Sequence, residues 1–147
     1  AWLGLVFTWA ALVGWAEATG GIDRTGLLLY AGAFFWVLGY DTIYALQDVE
    51  DDALAGVKSS ARALGGYVRL GVILFYLAAF ILWALAFWSI RPQLLALAAL
   101  IPLGVHLGWQ AFGLRTDSGD DALRRFRSNR SAGLLMFLGC LVVGSTA

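Results

Sequence analysis

Long apolar runs alternate with short polar segments along the chain, and this alternation predicts its secondary structure. Each run is continuous over much of a bilayer's thickness, whereas the strands of a membrane β-barrel are short and alternate between apolar and polar residues. The pattern therefore predicts an all-α transmembrane helical bundle embedded in the lipid bilayer. Five runs are read as spanning helices: Ala1–Trp15, Leu27–Ala45, Leu70–Trp88, Gln93–Leu114 and Ser131–Ala147.

The first run is too short to cross a membrane by itself. A helix needs roughly 20 residues to span about 30 Å of hydrocarbon, and the chain begins at Ala1 inside an apolar run. We therefore expect the sequence to be the C-terminal part of a longer chain, cut within a helix.

The fourth run contains residues that predict local features of its helix. Pro102 should kink it, because proline removes an internal hydrogen bond. Gly104 and Gly108 are spaced for close approach of another helix. His106 and Gln110 share one face, and we expect both to form hydrogen bonds with neighbouring helices rather than to belong to a reaction site.

Composition supports the membrane prediction and bears on possible partners. Of the 147 residues, 61% are hydrophobic and 14% are charged, and the mean hydropathy is +0.77. Soluble domains have close to a quarter of their residues charged. The net charge is zero, which gives no electrostatic indication of a nucleic-acid partner.

Basic residues predict the orientation in the membrane. The loops 41–69 and 115–130 lie on the same side and carry eight of the ten basic residues, whereas the opposite side has Arg24 and Arg91. The positive-inside rule then places the two charged loops in the cytoplasm.

Half of the chain's ten carboxylates fall within the twelve residues "DTIYALQDVEDD", which begin at Asp41. If the second helix continued through this stretch, Asp41, Tyr44, Asp48 and Asp52 would share one face, within an arc of roughly 80°. Carboxylates four residues apart on a helix repel each other. A divalent cation would favour such an arrangement, and Mg²⁺ suits one or two carboxylates together with substrate phosphates.

The residues that follow the acidic stretch suit a diphosphate. Lys58 and Ser59 come within about two helical turns of Asp52, and Arg62 within about three. Cationic and hydroxyl groups at that distance would bind the phosphate oxygens that a metal leaves free. The residues themselves thus predict a membrane-embedded, Mg²⁺-dependent diphosphate site.

The segment "GYDTIYALQDVEDDALAGVKSSARALG", Gly39–Gly65, resembles the second aspartate-rich motif of the UbiA family of intramembrane prenyltransferases. The "YDTIYA" and "KSS" parts resemble the branch of that family that acts on 4-hydroxybenzoate in ubiquinone biosynthesis. Family members have nine transmembrane helices, and their first motif, of the type NDxxDxxxD, lies in the N-terminal half. The resemblance implies that residues 1–147 supply five of nine helices, as the C-terminal half of one domain.

The resemblance also assigns roles to individual residues. Asp48 and Asp52 match the pair that binds Mg²⁺ and, through it, a polyprenyl diphosphate. Lys58 matches the lysine that assists the diphosphate, and Asp41 and Tyr44 match a lead-in that faces the central cavity. The implied reaction is transfer of the polyprenyl group to the ring of 4-hydroxybenzoate. It implies a bacterial inner membrane, with the Asp-rich loop cytoplasmic, or the mitochondrial inner membrane. With half of the metal site absent, the 147 residues alone should be inactive.

Three other interpretations remain open. Another branch of the same family would use a different aromatic or quinone precursor as acceptor. A divalent-cation transporter would place carboxylates near the bilayer midplane on several helices, whereas here they gather at one end. A structural membrane subunit would have the acidic stretch as an ordinary solvated loop.

Overall fold

The computed structural model describes residues 2–47 and 59–145, and within these ranges the chain is helical without β-strands. A short 3₁₀ turn, Gly65–Tyr67, joins the fourth and fifth helices. In chain order the helices are α1 Trp2–Phe7, α2 Trp9–Thr19, α3 Arg24–Tyr44, α4 Ser60–Leu64, α5 Val68–Ile90, α6 Leu94–Ala98, α7 Ile101–Phe112, α8 Gly119–Arg127 and α9 Asn129–Ser145.

Three segments of the described chain are long and apolar enough to cross a membrane, Arg24–Tyr44, Ser60–Ile90 and Leu94–Phe112. They coincide with the second, third and fourth predicted spans and confirm a helical membrane bundle. The predicted first and fifth spans fall on α1 with α2 and on α9. The backbone turns at Thr8, between α1 and α2, and α9 has 17 residues. Both segments remain predictions as complete spans.

Proline breaks the fourth predicted span instead of only bending it. The helical segment is divided between α6, which ends at Ala98, and α7, which begins at Ile101. Leu100 N–H bonds to the Leu97 carbonyl three residues back, at 3.1 Å. Pro102 lies in the first turn of α7, where its missing N–H has no partner to lose.

Helices α3, α5 and α7 form the core through aromatic side chains that meet small residues or buried polar groups. Gly39 of α3 faces the ring of Tyr76 on α5 so closely that a Cβ there would overlap it. The Tyr76 hydroxyl in turn donates to Gln110 of α7 at 2.6 Å. About two turns further along α5, Trp83 Nε1 donates to the Leu29 carbonyl of α3 at 3.2 Å. These contacts fix three helices relative to one another.

The two charged loops meet at one end of the bundle, as the sequence predicts. Arg69, in the first turn of α5, donates from Nη2 and Nε to the Leu114 carbonyl at 2.6 and 3.1 Å. Phe126 of α8 lies against Tyr44 at the end of α3, with ring centroids 4.7 Å apart. We call this the charged end of the bundle.

Candidate active site

The C-terminal turn of α3 carries the first two predicted site residues. Asp41 is half-buried and Tyr44 is exposed, and the helix ends at Tyr44. The Ala45 N–H still bonds to the Asp41 carbonyl four residues back, at 2.9 Å, whereas the N–H groups of Leu46 and Gln47 bond to carbonyls three residues back, at 3.2 and 3.0 Å. This tighter pattern is typical of a helix end. The assumption that one helix continues through the acidic stretch is therefore wrong at residues 45–47, and the predicted common face does not follow from a single helix.

The remaining acidic residues and the lysine cannot be placed in this geometry. Asp48, Asp52 and Lys58 lie outside the described residues, so the metal pair and its neighbouring lysine stay predictions. Among the described residues no group of three or more His, Cys, Asp or Glu side chains is gathered as a metal site. The carboxylate of Asp41, predicted to be catalytic rather than a metal ligand, is the one acidic side chain of this stretch among the described residues.

Ser59 and Arg62, predicted to bind diphosphate, belong to the start of α4. The Ser59 hydroxyl oxygen accepts a hydrogen bond from the Arg62 N–H at 3.4 Å, so it caps this helix, a role that the sequence analysis missed. The hydroxyls of Ser60 and Thr42 are 2.9 Å apart. Because Thr42 follows Asp41 directly, this contact brings α4 to the part of α3 that carries Asp41.

Aromatic side chains follow one face of α3 toward the charged end. Trp36, Tyr40 and Tyr44 are four residues apart, a spacing that puts them on one side of the helix. The rings of Tyr40 and Tyr44 lie 5.8 and 4.7 Å from that of Phe126 on α8. Trp36 Nε1 donates to the side chain of Asn129 at 2.9 Å. Tyr44, although exposed, therefore also contacts α8 through its ring, and its predicted place facing a cavity stays a prediction.

A buried ion pair that the sequence analysis missed fixes α8 in place. The Asp121 carboxylate accepts from Arg125 Nε at 2.7 Å, from Arg124 at 2.5 Å and from the backbone N–H of Arg115 at 3.0 Å. The bond from Arg125 holds the pKa of Asp121 well below its usual range, although burial acts in the opposite direction. The signal in the sequence is the spacing of three and four residues between Asp121 and the two arginines of "DALRR".

Arg125 also completes the C-terminal end of α7. Its guanidinium donates to the carbonyls of Trp109, Gln110 and Gly113 at 2.5, 3.2 and 2.5 Å. The last carbonyls of a helix lack intrahelical partners, and a cation there also interacts favourably with the helix dipole. The pair formed by Asp121 and Arg125 therefore joins α8 to α7.

Gln110 connects this ion pair to the core, as its predicted interhelical role requires. Its side chain is fully buried, and its amide nitrogen lies 2.7 Å from the Ser128 hydroxyl and 3.2 Å from the Arg125 carbonyl. His106 Nε2 lies 3.1 Å from the Ser128 carbonyl. The prediction that Gln110 and His106 form hydrogen bonds between helices is confirmed.

Comparison with known proteins supports the resemblance. The UbiA prenyltransferase family matches residues 1–141. Proteins named 4-hydroxybenzoate polyprenyltransferase, mitochondrial, are 37% identical over 144 residues in Drosophila pseudoobscura pseudoobscura, 40% over 146 in Homo sapiens and 38% over 143 in Arabidopsis thaliana. These alignments cover 97% of this chain but 36%, 38% and 35% of the relatives. The chain thus spans little more than a third of their length. No solved structure gives a significant match. Because the family match covers nearly every residue, the chain belongs to the UbiA prenyltransferase family.

Proposed function

We propose that the intact protein transfers a polyprenyl group from polyprenyl diphosphate to 4-hydroxybenzoate. The observation that carries this proposal is the identity of 36–40% between nearly the whole chain and proteins named for that reaction. The new bond would join the allylic carbon of the polyprenyl group to the ring carbon ortho to the phenol. The bond from that allylic carbon to the diphosphate oxygen would break, and the ring would lose a proton.

Mg²⁺ is the proposed cofactor, with Asp48 and Asp52 as its ligands. When bound, it would offset the negative charge that develops on the departing diphosphate. Lys58, Ser59 and Arg62 would bind diphosphate oxygens. Support comes from the match to the motif of a family in which metal dependence is general, and from the contact between α4 and α3 beside Asp41.

Apolar and aromatic walls would keep water away from the reacting carbon. The described part of such a wall is the aromatic face of α3, where Trp36 and Tyr40 are partly buried against α8 and α9 rather than exposed to lipid. Water at this point would capture the allylic cation in place of the ring.

The proposed location is an inner membrane, mitochondrial or bacterial, with the charged end of the bundle facing the matrix or the cytoplasm. Relatives in insects, mammals and a plant are named as mitochondrial, and eight of the ten basic residues lie in the loops of the charged end. A divalent-cation transporter fits less well, because α5 and α7 contain no carboxylate.

The test is prenyl transfer by the intact protein in detergent, with labelled 4-hydroxybenzoate, a polyprenyl diphosphate and Mg²⁺. Asp48→Asn and Asp52→Asn should each abolish product, whereas Glu50→Gln, between the paired positions, should be mild. Equal losses in all three variants would contradict the assignment of the metal pair. Faster transfer to another aromatic acceptor in direct competition would instead favour a different branch of the family. The 147 residues alone should show no turnover.

A further inference from the structure

An apolar groove runs along the outer surface of the bundle between α5 and α7. Its volume is about 480 Å³, which lies within the usual range for a ligand site. The groove is open along one side and its lining is almost wholly apolar. We call it the α5–α7 groove; its lining includes Ile73, Leu77, Phe80, Val105, Gly108 and Phe112.

Two glycines of α7 have opposite roles in this groove. Gly104 lies where a Cβ would come within 2.8 Å of the Phe80 ring, so its missing side chain lets α5 and α7 approach. At Gly108 a Cβ would meet only Phe112 of the same helix, at 3.8 Å. The space over Gly108 is therefore open, and it forms the floor of the groove.

The length of the groove corresponds to one leaflet of a bilayer. The lining residues of α7 run from Ile101 to Phe112, a rise of roughly 16 Å at about 1.5 Å per residue. Half of a hydrocarbon core of about 30 Å has the same length. The groove ends at the charged end of the bundle, where Ile73 lies one helical turn from Arg69. A single acyl chain of that leaflet fits this path.

A second, more polar pocket continues the groove at the charged end. It shares Ile73 with the groove and is also lined by Tyr67, Arg69 and Thr116. The bonds from Arg69 to the Leu114 carbonyl use two of its five N–H donors and hold the guanidinium in place. A cation that is already ordered loses little conformational freedom when it binds a phosphate. Both Arg69 and Tyr67 are exposed.

We propose that this continuous surface binds one anionic phospholipid from the leaflet at the charged end. The acyl chain lies over Gly108, and the headgroup phosphate accepts hydrogen bonds from Arg69. An apolar path one leaflet long that ends at a fixed cation matches both parts of such a lipid. A headgroup without an amine suits the pocket best, because among its lining residues Arg69 is basic and none is acidic. The proposal does not depend on the proposed prenyl-transfer activity.

The experiment is native mass spectrometry of the intact protein, with phosphatidylglycerol or phosphatidylcholine added in detergent. Gly108→Leu places a side chain in the groove at a position where a Cβ makes only an ordinary contact with Phe112, and it should lower retention of one phosphatidylglycerol by about tenfold or more. Arg69→Gln should lower it roughly tenfold, the size of one charge-assisted hydrogen bond, and remove the preference over phosphatidylcholine. The matched controls, Gly14→Leu at an open position of α2 and Arg24→Gln at the opposite end, should leave retention unchanged.

Three results would overturn the proposal. The first is an intact protein that retains no phosphatidylglycerol, because the groove would then be covered by other parts of the protein. The second is equal retention by Gly108→Leu and Gly14→Leu. The third is displacement of phosphatidylglycerol from the wild-type protein by one equivalent of geranylgeranyl diphosphate, together with weaker retention of that diphosphate by Gly108→Leu than by Gly14→Leu, which would make the groove a substrate subsite. If Arg69→Gln fails to fold, the Gly108→Leu comparison decides alone.

Discussion

Replacement of Asp121 by asparagine tests whether the buried ion pair holds α8 against α7. The side chain of Asp121 is fully buried, and that of Arg125 is 5% exposed. Asparagine has nearly the same volume, and its oxygen can still accept the bond from the Arg115 N–H. Asp121→Asn therefore removes the charge while creating little space, so the effect reports on the ion pair rather than on packing.

The expected loss of stability depends on Arg125, which stays buried when Asp121 loses its charge. Removing one partner of a buried ion pair costs about 3–5 kcal/mol, since the other charge remains buried without compensation. Arg125 would keep its bonds to three backbone carbonyls of α7, which places the expected cost at the lower end, about 3 kcal/mol. For a chain of about 150–250 residues each kcal/mol corresponds to roughly 2–4 °C in the unfolding midpoint. The expected fall is thus at most about 6–12 °C, and smaller the longer the intact chain is.

The assay is thermal unfolding of the intact protein in detergent, at one scan rate for all variants because unfolding of such proteins is often irreversible. Asp120→Asn is the matched control. Asp120 lies in the same first turn of α8 but is exposed, so its loss should cost at most about 1 kcal/mol through the helix dipole. Equal midpoints for the two variants would refute the reasoning, because the buried charge would then contribute no more than an exposed one.

Three further predictions concern the same end of the bundle. Phe126→Leu should lower the free energy of unfolding by about 1 kcal/mol more than the control Phe137→Leu on the exposed face of α9, because it loses ring contacts to α3. It should also lower the prenyl-transfer rate. Equal unfolding midpoints for the two variants would contradict this prediction. Gln110→Leu should lower the free energy of unfolding by about 1–3 kcal/mol, because the Tyr76 hydroxyl stays buried without its acceptor. The double variant that also carries Tyr76→Phe should unfold at a higher temperature than Gln110→Leu alone. Because the folded state lowers the pKa of Asp121, its stabilisation is complete above the unfolded pKa of about 3.9 and is lost as the pH falls through the folded pKa. The midpoint difference between wild type and Asp121→Asn should therefore stay constant from about pH 8 to pH 5 and narrow only below about pH 4.

The parts of the fold that could be predicted from the sequence depend on local patterns. Continuous apolar runs predicted the spans Leu27–Ala45, Leu70–Trp88 and Gln93–Leu114, because crossing a bilayer imposes both length and composition. The structure has the corresponding segments Arg24–Tyr44, Ser60–Ile90 and Leu94–Phe112. The interhelical role of Gln110 was predictable for the same reason, since a polar side chain inside an apolar helix needs a partner. Sequence alone does not say which partner, because Tyr76 lies on α5 and Ser128 lies between α8 and α9, both far from Gln110 in the chain.

The features that were missed depend on contacts between distant segments or on competition between local bonds. The end of α3 at Tyr44 could not be read from composition, because helical spacing fits the acidic stretch equally well. The capping role of Ser59 could not be distinguished from phosphate binding in the sequence. Both roles need a serine hydroxyl beside backbone N–H groups. The burial of Asp121 could not be predicted, because the composition of "GDDALRRFR" is typical of a solvated charged loop. Its burial depends on the packing of this segment against α7.

The aromatic face of α3 explains why α8, which lies beyond α7 in the chain, bears on the proposed reaction. Three contacts from α8 and α9 fall on the aromatic face of α3: Asn129 contacts Trp36, and Phe126 contacts Tyr40 and Tyr44. The helix is stiff over this length, so a shift of α8 would move the turn that leads into the acidic stretch. Asp121 and Arg125 fix α8 to α7, and Gln110 fixes α7 to α5 through Tyr76. The position of Asp41 is therefore determined from both sides of α3, by α4 through Thr42 and by α8 through the aromatic face.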